Sequence, residues 1–321
     1  MEFIEFPNGG QMPIIGYGTW QAAEDELETA LEAALEAGYR HIDAAAAYMN
    51  EHVIGRVLKK WISDGRLKRE DLFIVTKVPP PGVHQDRVEK YLKKSLEDLQ
   101  LDYVDLYLVH TPFTLVDGKG LNPVADDGTI LYDTTADLVA VWKVMEEQYD
   151  LGRTKAIGVS NFNKTQLDRI TEVARIPVEN IQIEIHLYLQ QSDMITYCKS
   201  KNITVCAYSP LGSRGTSKIF DALGISKEIP DEMSNPEVLD IASKYGKTTA
   251  QILLRFLTQK GIAVIPKSIN PERIKQNIEI LDFSLNDDEI SRLEALDQGE
   301  AARIVDFNFF NGIKNHPEFP F

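Results

Sequence analysis

Eight short runs of β-branched and aromatic residues alternate with amphipathic segments along this chain of 321 residues. The alternation constrains the fold strongly, because strand and helix repeats build parallel sheets in which each strand needs a helical crossover. The segments carry apolar residues at helical spacing, as in the stripe of Leu27, Leu31 and Leu35. No Pro-, Gly- or Ser-rich linker divides the series, so the sequence predicts a single domain over residues 1–321.

Eight strand–helix units favour a closed (β/α)8 TIM barrel, because a doubly wound sheet leaves too many units for one nucleotide domain. A helix is expected after each strand. The predicted strands are Ile14 to Gly18, Tyr39 to Ile42, Leu72 to Thr76, Val104 to Val109, Lys155 to Val159, Asn180 to Glu184, Ile203 to Ala207 and Ile262 to Ile265.

An N-terminal β-hairpin is predicted ahead of the barrel. Phe3 to Phe6 and Met12 to Ile14 flank the segment Pro7-Asn8-Gly9-Gly10. The Asn-Gly pair supplies the positive φ angles that a tight hairpin turn requires. We expect this hairpin to form a short lid.

A two-domain Rossmann fold is the alternative to the barrel. Gly16-x-Gly18 lies at a strand-to-helix turn and Asp43 ends the next predicted strand, as in a dinucleotide-binding fingerprint. However, Gln21 takes the place of the third glycine, and the spacing from Gly18 to Asp43 exceeds the usual ~20 residues. The barrel therefore accounts better for the pattern.

Composition and charge exclude several classes of partner. The formal net charge of -15 argues against a nucleic acid or an anionic membrane, because both require a broad basic face. Cys198 and Cys206 are the two cysteines, and their spacing predicts neither a disulfide framework nor a metal site. No apolar stretch approaches the ~20 residues of a membrane span. We expect a cytoplasmic protein, and a monomer because the sequence shows no obvious pairing helix.

One segment, from Ile265 to Asn277, concentrates cations within this acidic chain. Pro271 fits the first turn of a helix that begins just after a buried strand. Lys267, Ser268, Arg273 and the free amides of that turn would converge on one point, where a phosphate binds well. The sequence therefore predicts a cofactor that bears a phosphate, and the alternative is a solvated basic turn.

Polar side chains stand where several predicted strands end. Because the active-site residues of such barrels gather at the carboxyl ends of the strands, we expect these side chains to share one mouth. Tyr48 lies five residues after Asp43, which ends one of these strands. The strand-end residues are Asp43, Lys77, His110, Asn161 and Lys267.

Together these groups could protonate a carbonyl oxygen. A tyrosine with a pKa of ~10 is a slow proton donor near neutral pH, but the Lys77 ammonium would lower the pKa of Tyr48. Asp43 would hold Lys77 charged, and His110 could donate a hydrogen bond to a substrate carbonyl. Taken singly, each residue could instead be a packed or paired core residue.

The remaining histidines lack partners in the sequence, so we assign them no chemical role and expect His41 and His186 to be structural. These histidines are His41, His52, His84, His186 and His316.

Longer motifs over nearly the whole chain resemble the aldo-keto reductases. The motifs that carry this resemblance are Gly16-Tyr17-Gly18-Thr19-Trp20, Ala37 to Asp43 followed by Tyr48, Leu106 to His110 with Pro112, Gly158-Val159-Ser160-Asn161-Phe162, and the cationic segment. The resemblance implies an oxidoreductase in which hydride moves from NADPH to a carbonyl carbon while Tyr48 delivers a proton to the oxygen. Asp43, Lys77 and His110 would support that step.

The same resemblance implies the remaining contacts of NADPH/NADP+ and substrate. For the nicotinamide, these are Tyr208 stacking on the ring, Ser160, Asn161 and Gln182 holding the carboxamide, and Thr19, Trp20 and Asp43 beside it. For the rest of the cofactor, they are Ser209, Leu211 and Ser213 along the pyrophosphate, Lys267, Ser268 and Arg273 at the 2′-phosphate, and Gln276 and Asn277 at the adenine. For the small-molecule carbonyl substrate, they are Trp20, Tyr48, His110, Thr111 and Phe307.

Some positions depart from the family pattern. Ala44 follows Asp43 where many relatives have Thr or Ser, and Thr111 follows His110 where many aldehyde reductases have Trp. Gln21 and the loop from Ser213 to Ser217 lack the Lys and Asp with which some relatives clasp the cofactor. We therefore expect a weaker clasp and faster cofactor exchange.

The substrate stays open at this level. Thr111 should widen the site, and the aromatic tail from Asp306 to Phe310 could pack on a steroid-sized ketone, or could simply plug the barrel mouth. The chain looks most like the insect branch that includes 3-dehydroecdysone reductases, which suggests a 3-oxo ecdysteroid substrate. The alternatives are a general detoxifying aldehyde reductase, a prostaglandin-type reductase, and an NADPH-binding sensor or structural subunit.

Overall fold

Parallel strands joined in chain order form the centre of the molecule. The computed structural model describes residues 2–321 apart from the side chain of Ile219, and within them it has these strands: β1 (Phe3–Glu5), β2 (Gln11–Pro13), β3 (Gly16–Gly18), β4 (His41–Asp43), β5 (Phe73–Val78), β6 (Leu106–Val109), β7 (Ile157–Ser160), β8 (Asn180–Glu184), β9 (Thr204–Tyr208) and β10 (Ala263–Val264). Strands β3 to β10 make one parallel sheet, each strand paired with the next. The predicted strands are confirmed, with ends that differ by at most two residues.

Helices surround this sheet. In the described part of the chain they are α1 (Glu24–Ala37), α2 (Glu51–Ser63), α3 (Val88–Leu99), α4 (Leu138–Asp150), α5 (Lys164–Thr171), α6 (Ser192–Ser200), α7 (Thr216–Ala222), α8 (Pro236–Tyr245), α9 (Thr249–Gln259), α10 (Pro271–Ile278) and α11 (Asp287–Glu294). The stripe of Leu27, Leu31 and Leu35 on α1 is buried, as its spacing predicts. None of the helices within residues 2–321 is both long and apolar enough to cross a membrane.

The sheet closes into a barrel between its first and last strands. The Val264 amide donates to the Ile14 carbonyl at 2.9 Å, and the Gly18 amide donates to the Pro266 carbonyl at 3.1 Å. A Cβ atom on Gly18 would lie 2.7 Å from the Ile265 carbonyl oxygen, so only glycine permits this approach. Gly18 thus allows the first and last strands to meet and close the barrel. The alternative of a two-domain Rossmann fold is wrong.

The N-terminal hairpin is present, but its turn differs from the prediction. Strands β1 and β2 pair Phe3 with Pro13 and Glu5 with Gln11, which leaves a five-residue connection over residues 6–10. Gly9 has a φ of +81°, whereas Asn8 stays outside the left-handed region and accepts a hydrogen bond from the Gly10 amide at 2.8 Å. Asn8 therefore shapes the turn through its side chain, and the predicted positive φ angle is confirmed for Gly9 but wrong for Asn8.

The hairpin covers the amino-terminal end of the barrel. Phe6 and Met12 pack with barrel residues that include Phe73 and Leu106. The Asn8 amide also donates to Glu179, just before β8, at 3.3 Å. The carboxyl ends of the strands, where the sequence predicts the active-site mouth, lie at the opposite end.

The C-terminal segment packs over that mouth. Ile304, Val305 and Phe307 form an apolar cluster with Phe113 and Leu115, which lie in the loop after β6. The loop that was predicted to contact substrate is therefore in place at the carboxyl ends of the strands.

Candidate active site

The Lys77 ammonium is the centre of the site. Because β4, β5 and β6 run parallel, the polar residues at their carboxyl ends reach the same depth in the barrel. Lys77 Nζ donates to Asp43 Oδ1 at 2.6 Å, to the Ala44 carbonyl at 2.8 Å and to the Tyr48 hydroxyl at 3.3 Å. Burial opposes the charged amine, but Asp43 and Tyr48 outweigh it and raise the pKa of Lys77.

Asp43 is held on both of its oxygens. Its second oxygen accepts a hydrogen bond from Gln182 Nε2 at 2.7 Å, across the barrel from β8. The Thr19 hydroxyl donates to the Asp43 carbonyl at 2.8 Å, and Asn50 Nδ2 donates to the Thr19 carbonyl at 3.0 Å. Gln182 thus fixes the carboxylate that pairs with Lys77, while Thr19, itself held by Asn50, fixes the Asp43 backbone.

Tyr48 ends a short 3₁₀ turn that follows β4, and this turn brings its hydroxyl back to Lys77. Burial raises the pKa of Tyr48, while Lys77 lowers it and Asp43 raises it further. Lys77 acts in the predicted direction, but the net shift is upward. The expectation that the pKa of Tyr48 falls below its ordinary value is therefore wrong for the protein alone, because burial outweighs the ammonium.

His110 stands beside Tyr48, with ring centroids 5.7 Å apart and planes at 78°. Burial and the Lys77 charge hold the pKa of His110 well below its ordinary value, so the imidazole is neutral near pH 7. Its Nδ1 atom is buried without a hydrogen-bond partner among residues 2–321. A neutral histidine can donate to a carbonyl oxygen without changing its own charge.

A polar group beside His110 joins β7 to β9. Asn161 has a φ of 63°, and this left-handed conformation turns its side chain toward the mouth. Its Nδ2 atom donates to the His110 carbonyl at 2.9 Å and to Ser160 Oγ at 3.0 Å. The Tyr208 hydroxyl donates to Asn161 Oδ1 at 2.8 Å. The structure thus brings together Ser160, Asn161 and Tyr208, with Gln182 on the neighbouring strand.

The predicted pyrophosphate residues lie on the loop after β9. Ser209 and Ser213 have φ angles of 54° and 37°, and the Ser213 hydroxyl donates to that of Ser209 at 2.6 Å. Leu211 is half-buried between them. Gln21 reaches across to this loop, since its Oε1 atom lies 3.1 Å from where a Cβ atom on Gly215 would stand. The contact between Gln21 and this loop is therefore made by a neutral side chain.

The cationic segment folds as predicted into the end of β10 and the start of α10. The Asn270 side chain caps this helix by accepting from the Arg273 amide at 3.0 Å. Lys267 donates to the Gln21 carbonyl at 3.0 Å, and neither Lys267 nor Arg273 has a carboxylate partner within the described residues. Burial lowers the pKa of Lys267, which a nearby anion would reverse.

The other residues assigned to this subsite flank the same helix. Ser268 is buried, with its hydroxyl accepting from the Asn270 amide at 3.1 Å. Asn277 is buried on α10, and Gln276 donates to Glu272 at 3.1 Å. Lys267, Arg273 and the Ser268 hydroxyl fit a phosphate group, and the amides of Gln276 and Asn277 fit an adenine ring beside it.

The assigned substrate residues differ in their exposure. Trp20 is half-buried, whereas Thr111 is buried and its hydroxyl donates to the Phe113 carbonyl at 2.9 Å. Phe307 is buried, has a φ of 58° and stacks on Phe321 at 5.7 Å. In this arrangement Phe307 plugs the mouth, so its contact with substrate stays a prediction.

Sequence reasoning missed two supporting residues. Asn50 fixes the Thr19 carbonyl, and Gln21 fixes Lys267 through its own carbonyl. Both act through contacts between distant segments, which local spacing does not reveal.

The chain is similar to known proteins in both sequence and fold. The sequence model described as the Aldo/keto reductase family matches residues 14–298. Aldo-keto reductase family 1 member A1-A of Danio rerio is 42% identical over 325 residues, covering 99% of this chain and 98% of that protein. Aldo-keto reductase family 1 member A1 of Homo sapiens is 40% identical over 318 residues, covering 98% and 96%. The solved aldose reductase from Schistosoma japonicum has a TM-score of 0.90 and 37% identity, covering 100% of this chain and 99% of that one.

Proposed function

The chain belongs to the aldo/keto reductase family and is an oxidoreductase, and we propose that it reduces aldehydes and ketones to alcohols with NADPH, using Tyr48 as the proton donor. The observation that carries this proposal is the Asp43–Lys77–Tyr48 chain of contacts, with distances of 2.6 and 3.3 Å. Membership of the family rests on a match that spans most of the chain.

When bound, NADPH supplies the hydride that reduces the carbonyl carbon. A neutral His110 donates a hydrogen bond to the carbonyl oxygen and orients it beside Tyr48. The Tyr48 hydroxyl then gives its proton to that oxygen, and the adjacent Lys77 ammonium stabilises the phenolate that remains. Asp43 keeps Lys77 charged and aimed throughout.

The preference for NADPH rests on the two cations at the start of α10. Lys267 and Arg273 provide charge for a 2′-phosphate, and the Asn270-capped helix start lies beside them. Ser160, Asn161 and Gln182 offer amide and hydroxyl groups to the carboxamide. NADH lacks the extra phosphate, so it leaves these cations without their partner.

For the substrate, we infer a pocket that accepts ketones as well as small aldehydes, because Thr111 occupies less volume than an indole. A 3-oxo ecdysteroid is the specific candidate, and a general detoxifying or prostaglandin-type reductase is the alternative. The resemblance to insect 3-dehydroecdysone reductases stays a prediction. We place the reaction in the cytosol of the cell, with the protein as a monomer and with Cys198 and Cys206 reduced.

The test is oxidation of NADPH by the purified protein, offered a small aromatic aldehyde and a 3-oxo steroid in parallel. Higher kcat/KM for the steroid supports the ecdysteroid substrate, and higher kcat/KM for the aldehyde supports detoxification. NADPH binding without turnover of either compound would favour the sensor and contradict the proposed enzyme. A Tyr48→Phe variant with unchanged turnover would contradict the role of Tyr48.

A further inference from the structure

Three ionisable side chains form a buried cluster outside the catalytic group. Glu184 ends β8, His186 follows two residues later, and Glu232 comes from the segment between α7 and α8. Their exposed fractions are 0%, 1% and 2%. The proposed reduction does not use them, and charges this deeply buried lower stability unless they are paired and hydrogen-bonded.

His186 lies between the two carboxylates. Its Nε2 atom donates to Glu184 Oε1 at 3.1 Å, and its Nδ1 atom lies 2.5 Å from Glu232 Oε1. Within the described residues, neither His186 Nδ1 nor Glu232 Oε1 has another hydrogen-bond partner. Burial lowers the pKa of His186, but Glu184 and Glu232 outweigh it and raise the pKa to about 9. His186 is therefore an imidazolium near neutral pH, with a carboxylate on each side.

The Glu184 carboxylate holds the C-terminal segment. It accepts hydrogen bonds from the Ile304 amide at 2.7 Å and from the Val305 amide at 2.8 Å. Phe307, which packs over the mouth, follows two residues after Val305. The position of the Phe307 side chain therefore depends on the position of the Glu184 carboxylate.

The Glu232 carboxylate packs against the loop that we assign to the pyrophosphate. Its Cδ atom lies 3.1 Å from where a Cβ atom on Gly212 would stand, so the carboxylate packs directly against that backbone. Gly212 lies between Leu211 and Ser213. The other oxygen of Glu232 accepts from the Leu187 amide at 3.4 Å, which fixes Glu232 beside the residue after His186.

A second contact, at the surface, joins the C-terminal segment to the segment between α7 and α8 that carries Glu232. Lys227, from the segment after α7, donates to Asp306 at 2.7 Å and to the Ile304 carbonyl at 3.1 Å. This contact is only half-buried, so the solvent screens it, whereas the histidine cluster is shielded from water.

We propose that His186 is a positioning residue that couples the loop over residues 209–217 to the C-terminal segment over residues 304–307, so that ordering of one by cofactor orders the other for substrate. The proposal rests on the proposed function for the identity of the cofactor. Without the imidazolium, Glu184 and Glu232 would face each other as two buried carboxylates, and their repulsion would separate the segments.

The test is hydrogen exchange measured on the full-length protein with and without NADPH. In the natural protein we expect NADPH to slow exchange of amides in residues 209–217 and also of the Ile304 and Val305 amides. In His186→Gln and in Glu232→Gln, we expect slowing at residues 209–217 but its loss at Ile304 and Val305. Glu179→Gln is the matched control, because it removes a buried carboxylate at the opposite end of β8 and should keep both effects.

Kinetics provide a readout that a merely structural role would not change. In the two cluster variants, we expect the KM for the carbonyl substrate to rise several-fold while the Kd for NADPH, measured by quenching of tryptophan fluorescence, changes little. The Glu179→Gln control should leave both constants unchanged. A parallel rise of KM and Kd would overturn the coupling.

The natural protein gives a further test should the variants fail to fold. The KM for the carbonyl substrate should rise as the pH passes through about 9, because His186 then loses its proton. Besides Glu184 and Glu232, the ionisable groups near the cluster are Tyr208 and Arg303. A flat KM across this range overturns the proposal.

The outcomes separate the coupling from the function on which it rests. Slowing at residues 209–217 that leaves Ile304 and Val305 unaffected, or that survives unchanged in the cluster variants, overturns the coupling and leaves NADPH binding intact. No slowing anywhere in the natural protein overturns NADPH binding itself.

Discussion

The Lys77 ammonium lies 3.3 Å from the Tyr48 hydroxyl oxygen, close enough to stabilise a phenolate there. In the protein alone, burial raises the pKa of Tyr48 despite this charge, so the tyrosine stays protonated and ready to donate at neutral pH. In the proposed reduction, Lys77 would stabilise the phenolate that remains after Tyr48 has given up its proton.

The Tyr48→Phe substitution tests the proton donor directly. Phenylalanine keeps the ring packed near His110 but removes the hydroxyl, so we expect kcat to fall by roughly 10²–10⁴-fold, the usual contribution of a general acid. The Kd for NADPH should stay within about twofold, as measured by fluorescence quenching. A kcat close to that of the natural protein would show that another group supplies the proton.

The Lys77→Met substitution tests the buried pair. It leaves the Asp43 carboxylate buried without its cation, so we expect the free energy of unfolding in urea to fall by about 3–5 kcal/mol. The double variant Lys77→Met with Asp43→Asn removes both charges and should recover part of this loss. Equal stability of the single and double variants would contradict the pairing.

Cofactor preference is tested at α10. Arg273→Ala should weaken NADPH binding by about 1.5–3 kcal/mol, the worth of a hydrogen bond to a charged group, and leave NADH nearly unchanged. Lys275→Ala is the matched control, because it removes an exposed cation from the same helix. Titration of each variant with both cofactors measures the difference, and equal losses for NADPH and NADH would contradict the phosphate site.

Burial of Glu51 should make stability fall with rising pH. Its carboxylate accepts from Thr76 and from Ser95 at 2.8 Å, but burial outweighs these bonds and raises the pKa from 4.5 to about 7. The folded state thus holds a proton that the unfolded chain releases earlier, and stability is lost as the pH rises from 4.5 through about 7. Glu51→Gln should remove up to about 3 kcal/mol of this pH dependence in urea titrations.

His186 should show its effect at higher pH. Its pKa is raised from 6.5 to about 9, so its stabilising contribution is fully present below 6.5 and is lost as the pH rises through about 9. The shift corresponds to roughly 3 kcal/mol. Unfolding of the natural protein and His186→Gln on both sides of this window measures it, and a constant difference between them would contradict the assignment.

The sequence predicts most of the fold because its signals are local. The alternation of strands and helices along the chain determines the barrel, and each strand-end residue is found from the run that precedes it. Lys77 and His110 follow continuous apolar runs, so their place at the mouth needs only the parallel direction of β5 and β6. The hairpin is predicted for the same reason.

What the sequence does not predict depends on contacts over long separations. The sign of the Tyr48 pKa shift depends on burial by several segments, which no spacing reveals. Glu232 meets His186 from 46 residues away, and the sequence offers no reason to pair them. Asn8 likewise acts through a side-chain contact rather than through the backbone angle that its type suggests.

The hairpin packed into the amino-terminal end of the barrel leaves the mouth as the shared route for both reactants. A molecule that contacts Gln182, deep on β8, must pass the rim before anything settles over it. Under the proposed function, a cofactor that binds at this depth would enter before the carbonyl compound and leave after it, so cofactor release would limit the rate of turnover.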